Sequence, residues 1–246
     1  MAGVDLVVDP GLFAFLCAVV LLGALLQGVV GLGIGLLGSP VLTLVRPDLM
    51  PGSMLVLALL LPFLTLVREH DGVDWRGLGW ALPPRVVGTA AGVAVVSALD
   101  DRLIGLVVGA FVLGAVLVTW RAVHIPITRG ALVSAGLVSG LTGTTSSIGG
   151  PPLALLYQRR PPEESRPTIA IYFVVGSALS IAGLLLAGEM TWEEVRLSLS
   201  LLPAMAVGVV LAVLLRGRVP QARVRGVMLV VCAASALVLI LRSLLG

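Results

Sequence analysis

Six hydroxyl side chains fall within one short apolar stretch, Ser139, Thr142, Thr144, Thr145, Ser146 and Ser147, and Gly149-Gly150-Pro151-Pro152 follows directly. Hydroxyls can donate to the oxygens of an anion or replace lost backbone partners. Pro151 and Pro152 can open a helix, because a missing N–H in its first turn leaves no bond unmade. The N–H groups that begin such a half-helix converge, and the helix dipole favours negative charge there. A second glycine-broken stretch, Gln27 to Pro40, carries Gly28, Gly31, Gly33, Gly35 and Gly38, with Gln27 and Ser39 as its only comparable side chains. The two stretches lie 112 residues apart and align without a gap.

One charge joins them. Arg85, nine residues past Arg76 and directly after Pro83-Pro84, is the charged residue set well inside an apolar segment. A charge at that depth is expensive and faces a cavity, a partner or a substrate. With no Asp or Glu beside it inside the segments, an anionic substrate is the natural partner. The candidate substrate-binding set is therefore Gln27, Gly31, Gly33, Gly35, Ser39, Arg85, Thr142, Thr144, Thr145, Ser146, Gly149, Gly150 and Pro151.

Each feature also has a plainer explanation. Glycines in membrane helices permit close packing, so Gly31 to Gly35 could be a packing ridge. Ser and Thr bond to their own helix backbone, which would make each hydroxyl structural. Arg85 could snorkel to the interface if its segment began later. Tyr172, Ser177 and Ser180 fit core hydrogen bonding equally well, and His70 and His124 fit solvated loops. Trp75 and Trp192 sit where interfacial anchors are expected. No nucleophile and base pair, His-x-x-x-His or acidic pair lies within a segment, so an intramembrane enzyme is not expected. Neither a metal nor a cofactor is expected, and no nucleotide-binding loop is present to drive transport.

The elements that must position these residues are membrane helices. The chain is 58% hydrophobic and 12% charged over 246 residues, with mean hydropathy +1.12. Its basic pI of about 9.5 rests on a net charge of +3, which does not indicate nucleic-acid binding. All 16 basic residues are arginine. Cys17 and Cys232 lie in apolar runs near opposite ends and suggest buried thiols, not a disulfide. The reading is all-α, a polytopic transmembrane bundle in the lipid bilayer. Charged or Pro-containing breaks divide it into about eight segments: 11–45, 52–67, 77–98, 102–122, 129–157, 166–187, 195–215 and 224–243. The two longest contain the glycine breaks, and 52–67 reaches only about 24 Å if helical. Asp5 and Asp9 with no preceding Arg argue against a cleaved signal, so the first segment is expected to be retained.

Arginines in the connecting loops orient the chain. Arg46, Arg102, Arg159, Arg160, Arg166, Arg216, Arg218, Arg223 and Arg225 would share one side, and Arg68, Arg76, Arg121, Arg129, Arg196 and Arg242 the side of both termini. The positive-inside rule then puts both termini outside the cytoplasm.

An internal duplication is also expected, residues 1–122 and 123–246 forming two four-segment repeats within one transmembrane domain. Gly28, Gly31, Gly38 and Pro40 match Gly140, Gly143, Gly150 and Pro152; Pro83 and Gly88 match Pro203 and Gly208; Arg102 matches Arg223. Four segments per half would give both halves one orientation, whereas an additional crossing in each would invert them.

The Gly-x-x-Gly-x-Gly-x-Gly break at Gly28 to Gly35, the Gly149-Gly150-Pro151-Pro152-Leu153 break, Asp74-Trp75-Arg76 before the third segment and the duplication together resemble the TauE/SafE family, the sulfite exporter or 4-toluene sulfonate uptake permeases. The first half departs from the pattern at Leu37-Gly38-Ser39-Pro40. The resemblance covers nearly the whole chain and implies an inner-membrane transporter of sulfur-containing anions such as sulfite or sulfonates. The expected function is a secondary transporter, an exporter of a small anionic substrate, with a proton as candidate coupling ion and an oligomer left open. An anion channel and a non-transporting membrane subunit are the alternatives.

Overall fold

A computed structural model describes residues 8–31, 33–67, 71–121, 125–215 and 221–245. His70, His124, Arg68, Arg216 and Arg218 lie outside the described residues. The described chain is all helical: α1 (Pro10–Val30), α2 (Ile34–Val45), a 3-10 turn (Pro47–Leu49), α3 (Gly52–Leu66), α4 (Trp75–Ala98), α5 (Asp101–Arg121), α6 (Arg129–Ser146), α7 (Pro151–Tyr157), α8 (Pro162–Ala187), α9 (Trp192–Leu215) and α10 (Gln221–Leu245). Six of these, α1, α4, α5, α8, α9 and α10, contain stretches long and apolar enough to cross a membrane. Large apolar side chains such as Val87, Leu186 and Val227 are exposed on them, as a lipid-facing surface requires.

Local chemistry sets the helix ends. Asp9 caps α1 by accepting from Gly11 and Leu12 N–H at 3.0 and 3.1 Å, with Pro10 as first helical residue. Gly31 ends α1 at φ +89°, a conformation that costs glycine nothing. Asp74 caps α4 through Gly77 N–H at 2.8 Å. Thr191 and Glu194 cap α9 reciprocally, Thr191 N–H reaching the Glu194 carboxylate at 2.7 Å.

Contacts between helix ends fix their directions. On one face Gly52 N–H donates to Glu194 at 2.8 Å, Arg102 Nε to Ser243 O at 2.6 Å, and Arg242 to Leu44 O. This terminal face holds the start of α1 and the end of α10. On the opposite face Asp74 N–H donates to Thr168 Oγ1 at 2.9 Å, Tyr157 OH to Asp74 at 2.6 Å, and Arg225 to Thr119 O. Helix α1 runs away from the terminal face, α2 returns to it, and α3, α4 and α5 alternate. Helices α6 to α10 make the same excursions in the opposite sense.

The expected segments 11–45 and 129–157 are thus two helices each, α1 with α2 and α6 with α7, folded back at the glycine breaks. Five helices stand where hydropathy marks four segments, because it does not register a reversal inside an unbroken apolar run. The arginines regroup as a result. Arg46 and Arg102 lie with Arg196 and Arg242 on the terminal face, while Arg76, Arg121, Arg129, Arg159, Arg160, Arg166 and Arg225 lie on the other.

Packing partners correspond between the two sets of five. Helix α4 packs closely on α6, and α9 on α1. Gly88 of α4 sits against Leu137 and Gly140, as Gly208 of α9 sits against Leu21 and Ala24. A Cβ on Gly88 or on Gly208 would overlap the neighbouring backbone, so small residues let these helices touch. Leu137 and Gly140 stand 116 residues after Leu21 and Ala24, one helical turn beyond the ungapped offset of 112.

Candidate functional site

The first break is held shut by its own polar side chain. Gln27, near the end of α1, accepts from Ile34 N–H at 3.1 Å and so ties the start of α2 to the α1 it has just left. Gly33, the N-cap of α2, lies so close to α1 that a Cβ would meet Gly23 O and Gln27 N at 2.6 Å. The second break turns at Ser147, in the left-handed region at φ 58°, before α7 opens on Pro151. The breaks meet at one point: a Cβ on Gly35 would fall 2.5 Å from Ser147 O.

Between them lies a cavity of about 40 Å³. Its lining includes Gln27, Gly33, Gly35, Arg85, Gly143, Gly149, Gly150 and Pro151, with Phe173 and Ser177 from α8. Arg85 reaches it from the middle of α4 and is only 2% exposed. Its Nη1 donates to Ser139 Oγ at 3.0 Å, and Ser139 in turn donates to Gly149 O. The guanidinium lies 4.4 Å from the centre of the Tyr172 ring, a cation–π contact in a desolvated setting. Gly176 leaves the space it occupies, since a Cβ there would overlap it. No carboxylate lies within ion-pair distance of Arg85 among the described residues, and its Nε and the Tyr172 hydroxyl have no hydrogen-bond partner. A buried cation with a spare donor is costly alone and is relieved by an anion.

Of the candidate set, Gln27, Gly33, Gly35, Arg85, Gly149, Gly150 and Pro151 come together around this cavity. Gly31 lines a larger adjoining one of about 390 Å³. Ser39 is buried with its hydroxyl unpartnered but lines neither cavity. The hydroxyls of α6 are held by backbone carbonyls: Thr142 by Val138 and Ile148, Thr144 by Gly140, Thr145 by Leu141 and Ser146 by Thr142, at 2.7 to 3.0 Å. Thr144 also meets Ser180 at 2.8 Å, and none of the four lines either cavity. Gly143, absent from the candidate set, is marked in the sequence only by its match to Gly31; Phe173 and Gly176 gain their roles from the approach of α8 to Arg85, and spacing along the chain carries no signal for them.

A family model, that of the sulfite exporter TauE/SafE proteins, matches residues 16–239, nearly the whole chain. Comparison with curated proteins and with solved structures gives no match.

Proposed function

The chain belongs to the sulfite exporter TauE/SafE family, and on that premise we propose that it is a secondary transporter that binds a small sulfur-containing anion at Arg85, between the two glycine breaks. The carrying observation is Arg85 itself, buried at a cavity, with no carboxylate partner and with an unpartnered Nε. Irregular backbone at membrane depth is tolerated where it lines a cavity, and transporters use such breaks for substrate.

The two sets of five helices are, in this reading, an inverted duplication, α1 to α5 and α6 to α10, dividing the chain near residues 122 and 123. Alternating access follows if one set rocks against the other around the breaks. The duplication is chemically unequal: with Pro83 and Gly88 matched to Pro203 and Gly208, Met205 occupies the place of Arg85. One cation thus serves one anion. The arginine-rich face is cytoplasmic by the positive-inside rule, which leaves both termini outside, in the inner membrane. A proton is the proposed coupling ion, and export of sulfite or a sulfonate the proposed direction.

Purified protein in proteoliposomes tests this reading. Labelled sulfite should accumulate saturably and show counterflow, and Arg85→Gln should abolish both. Uptake that never saturates would point to a channel, and unchanged uptake by Arg85→Gln would remove the site.

A further inference from the structure

The cavity at Arg85 and the larger one beside it share three lining residues, Gln27, Pro151 and Phe173. The larger cavity runs to the arginine-rich face, where Arg160, Arg166 and Arg225 line it. Two of the three shared residues belong to the breaks, and Gln27 is fixed there by its bond to Ile34. Phe173, half-buried on α8 and next to the Tyr172 that stacks on Arg85, is the large apolar side chain among them.

Size decides what fits beyond it. One water needs roughly 10–15 Å³ of such volume, so the cavity of about 40 Å³ holds about three waters or one compact oxyanion. An aromatic ring has no room there. At another part of its lining Gly35 packs directly against the Ser147 backbone. Past Phe173 the larger cavity offers an organic tail ample space, at about 390 Å³.

We propose that Phe173 is a size filter that restricts the Arg85 site to compact oxyanions, with a substituent no larger than methyl, and excludes aryl sulfonates. This rests on the reading of Arg85 as the anion site. The filter acts by volume and not by charge, because methanesulfonate and benzenesulfonate carry the same head group and differ only in the tail.

The test is competition against labelled sulfite uptake in proteoliposomes. With wild type, methanesulfonate should inhibit and benzenesulfonate at the same concentration should not. Phe173→Ala should lower the half-inhibitory concentration of benzenesulfonate relative to that of methanesulfonate by at least about ten-fold, a discrimination within the reach of a hydrophobic pocket. Phe173→Leu, a milder truncation, should move it in the same direction and serves if the alanine variant does not reconstitute. Equal inhibition of wild type by both sulfonates, or continued exclusion of benzenesulfonate by both variants, overturns the filter. Methanesulfonate inhibition that persists undiminished in Arg85→Gln overturns the anion site instead.

Discussion

Arg85 and Ser139 are joined across α4 and α6 by a 3.0 Å hydrogen bond, and Ser139 passes the tether on to the Gly149 carbonyl of the second break. The bond fixes one arm of the guanidinium while Nε stays unpartnered. Ser139→Ala is therefore expected to raise the KM for sulfite while sparing turnover more than Arg85→Gln does. Its stability cost should be about 1–3 kcal/mol, because it strips a partner from a buried carbonyl and from a buried cation. Uptake kinetics and thermal unfolding of the same preparation check both parts.

Gly35→Ala drives a Cβ into the Ser147 backbone, and overpacking of this kind costs about 1–3 kcal/mol. Transport should fall with it, since the two breaks are forced apart. Gly114→Ala on α5, where nothing lies within 4 Å, is the control. It should fold at least as well, by up to about 1 kcal/mol from helix propensity, and transport normally.

Thr145→Val removes a hydroxyl that bonds to the Leu141 carbonyl one turn back, at 2.9 Å. A helix loses little when such a bond goes, because that carbonyl already serves the helix ladder. The expected change in sulfite KM is less than about two-fold, well under the effect of an interaction made to a charged group. A large rise in KM would mean that the hydroxyl meets the anion directly.

Asp74 supplies a pH dependence. Burial pushes its carboxyl up, but the Tyr157 hydroxyl, the Gly77 N–H, the charge of Arg160 and the Arg76 N–H together hold it below the usual carboxylate range. A carboxylate depressed in the folded state contributes stability above its unfolded value of about 3.9, and that contribution is lost as pH falls through the folded value. The midpoint of thermal unfolding should thus drop as pH is lowered from about 5 to about 3, and Asp74→Ala should flatten that drop and cost about 1 kcal/mol at neutral pH through the lost cap.

The sequence was most informative where physics is local. Composition and hydropathy announce a helical membrane protein, and Gly149-Gly150-Pro151-Pro152 announces a helix start that the structure contains at α7. Arg85 stood out because a charge has no bland place in an apolar segment. The reversal between α1 and α2 did not, because Val29 to Leu37 holds only glycines and aliphatic residues, and a glycine break does not by itself say whether the chain goes on or turns back. The same reversal is what puts Arg46 and Arg102 on the terminal face, and Arg76, Arg121 and Arg129 on the other. The α6 hydroxyls illustrate a different limit: their types suit an anion, but the choice between a ligand and a carbonyl one turn back is made by rotamer, which spacing does not encode. Gly176 was legible only as a small residue until Arg85 filled the space above it.

The account stands or falls on whether Arg85 holds the anion. The most direct measurement is sulfite binding to purified wild type, Arg85→Gln and Arg85→Lys, read as ligand-dependent thermal stabilisation alongside uptake in proteoliposomes. Sulfite should stabilise wild type in a concentration-dependent way, Arg85→Lys should retain a weakened response, and Arg85→Gln should fold but show neither stabilisation nor uptake. Stabilisation and uptake by Arg85→Gln equal to those of wild type would contradict it.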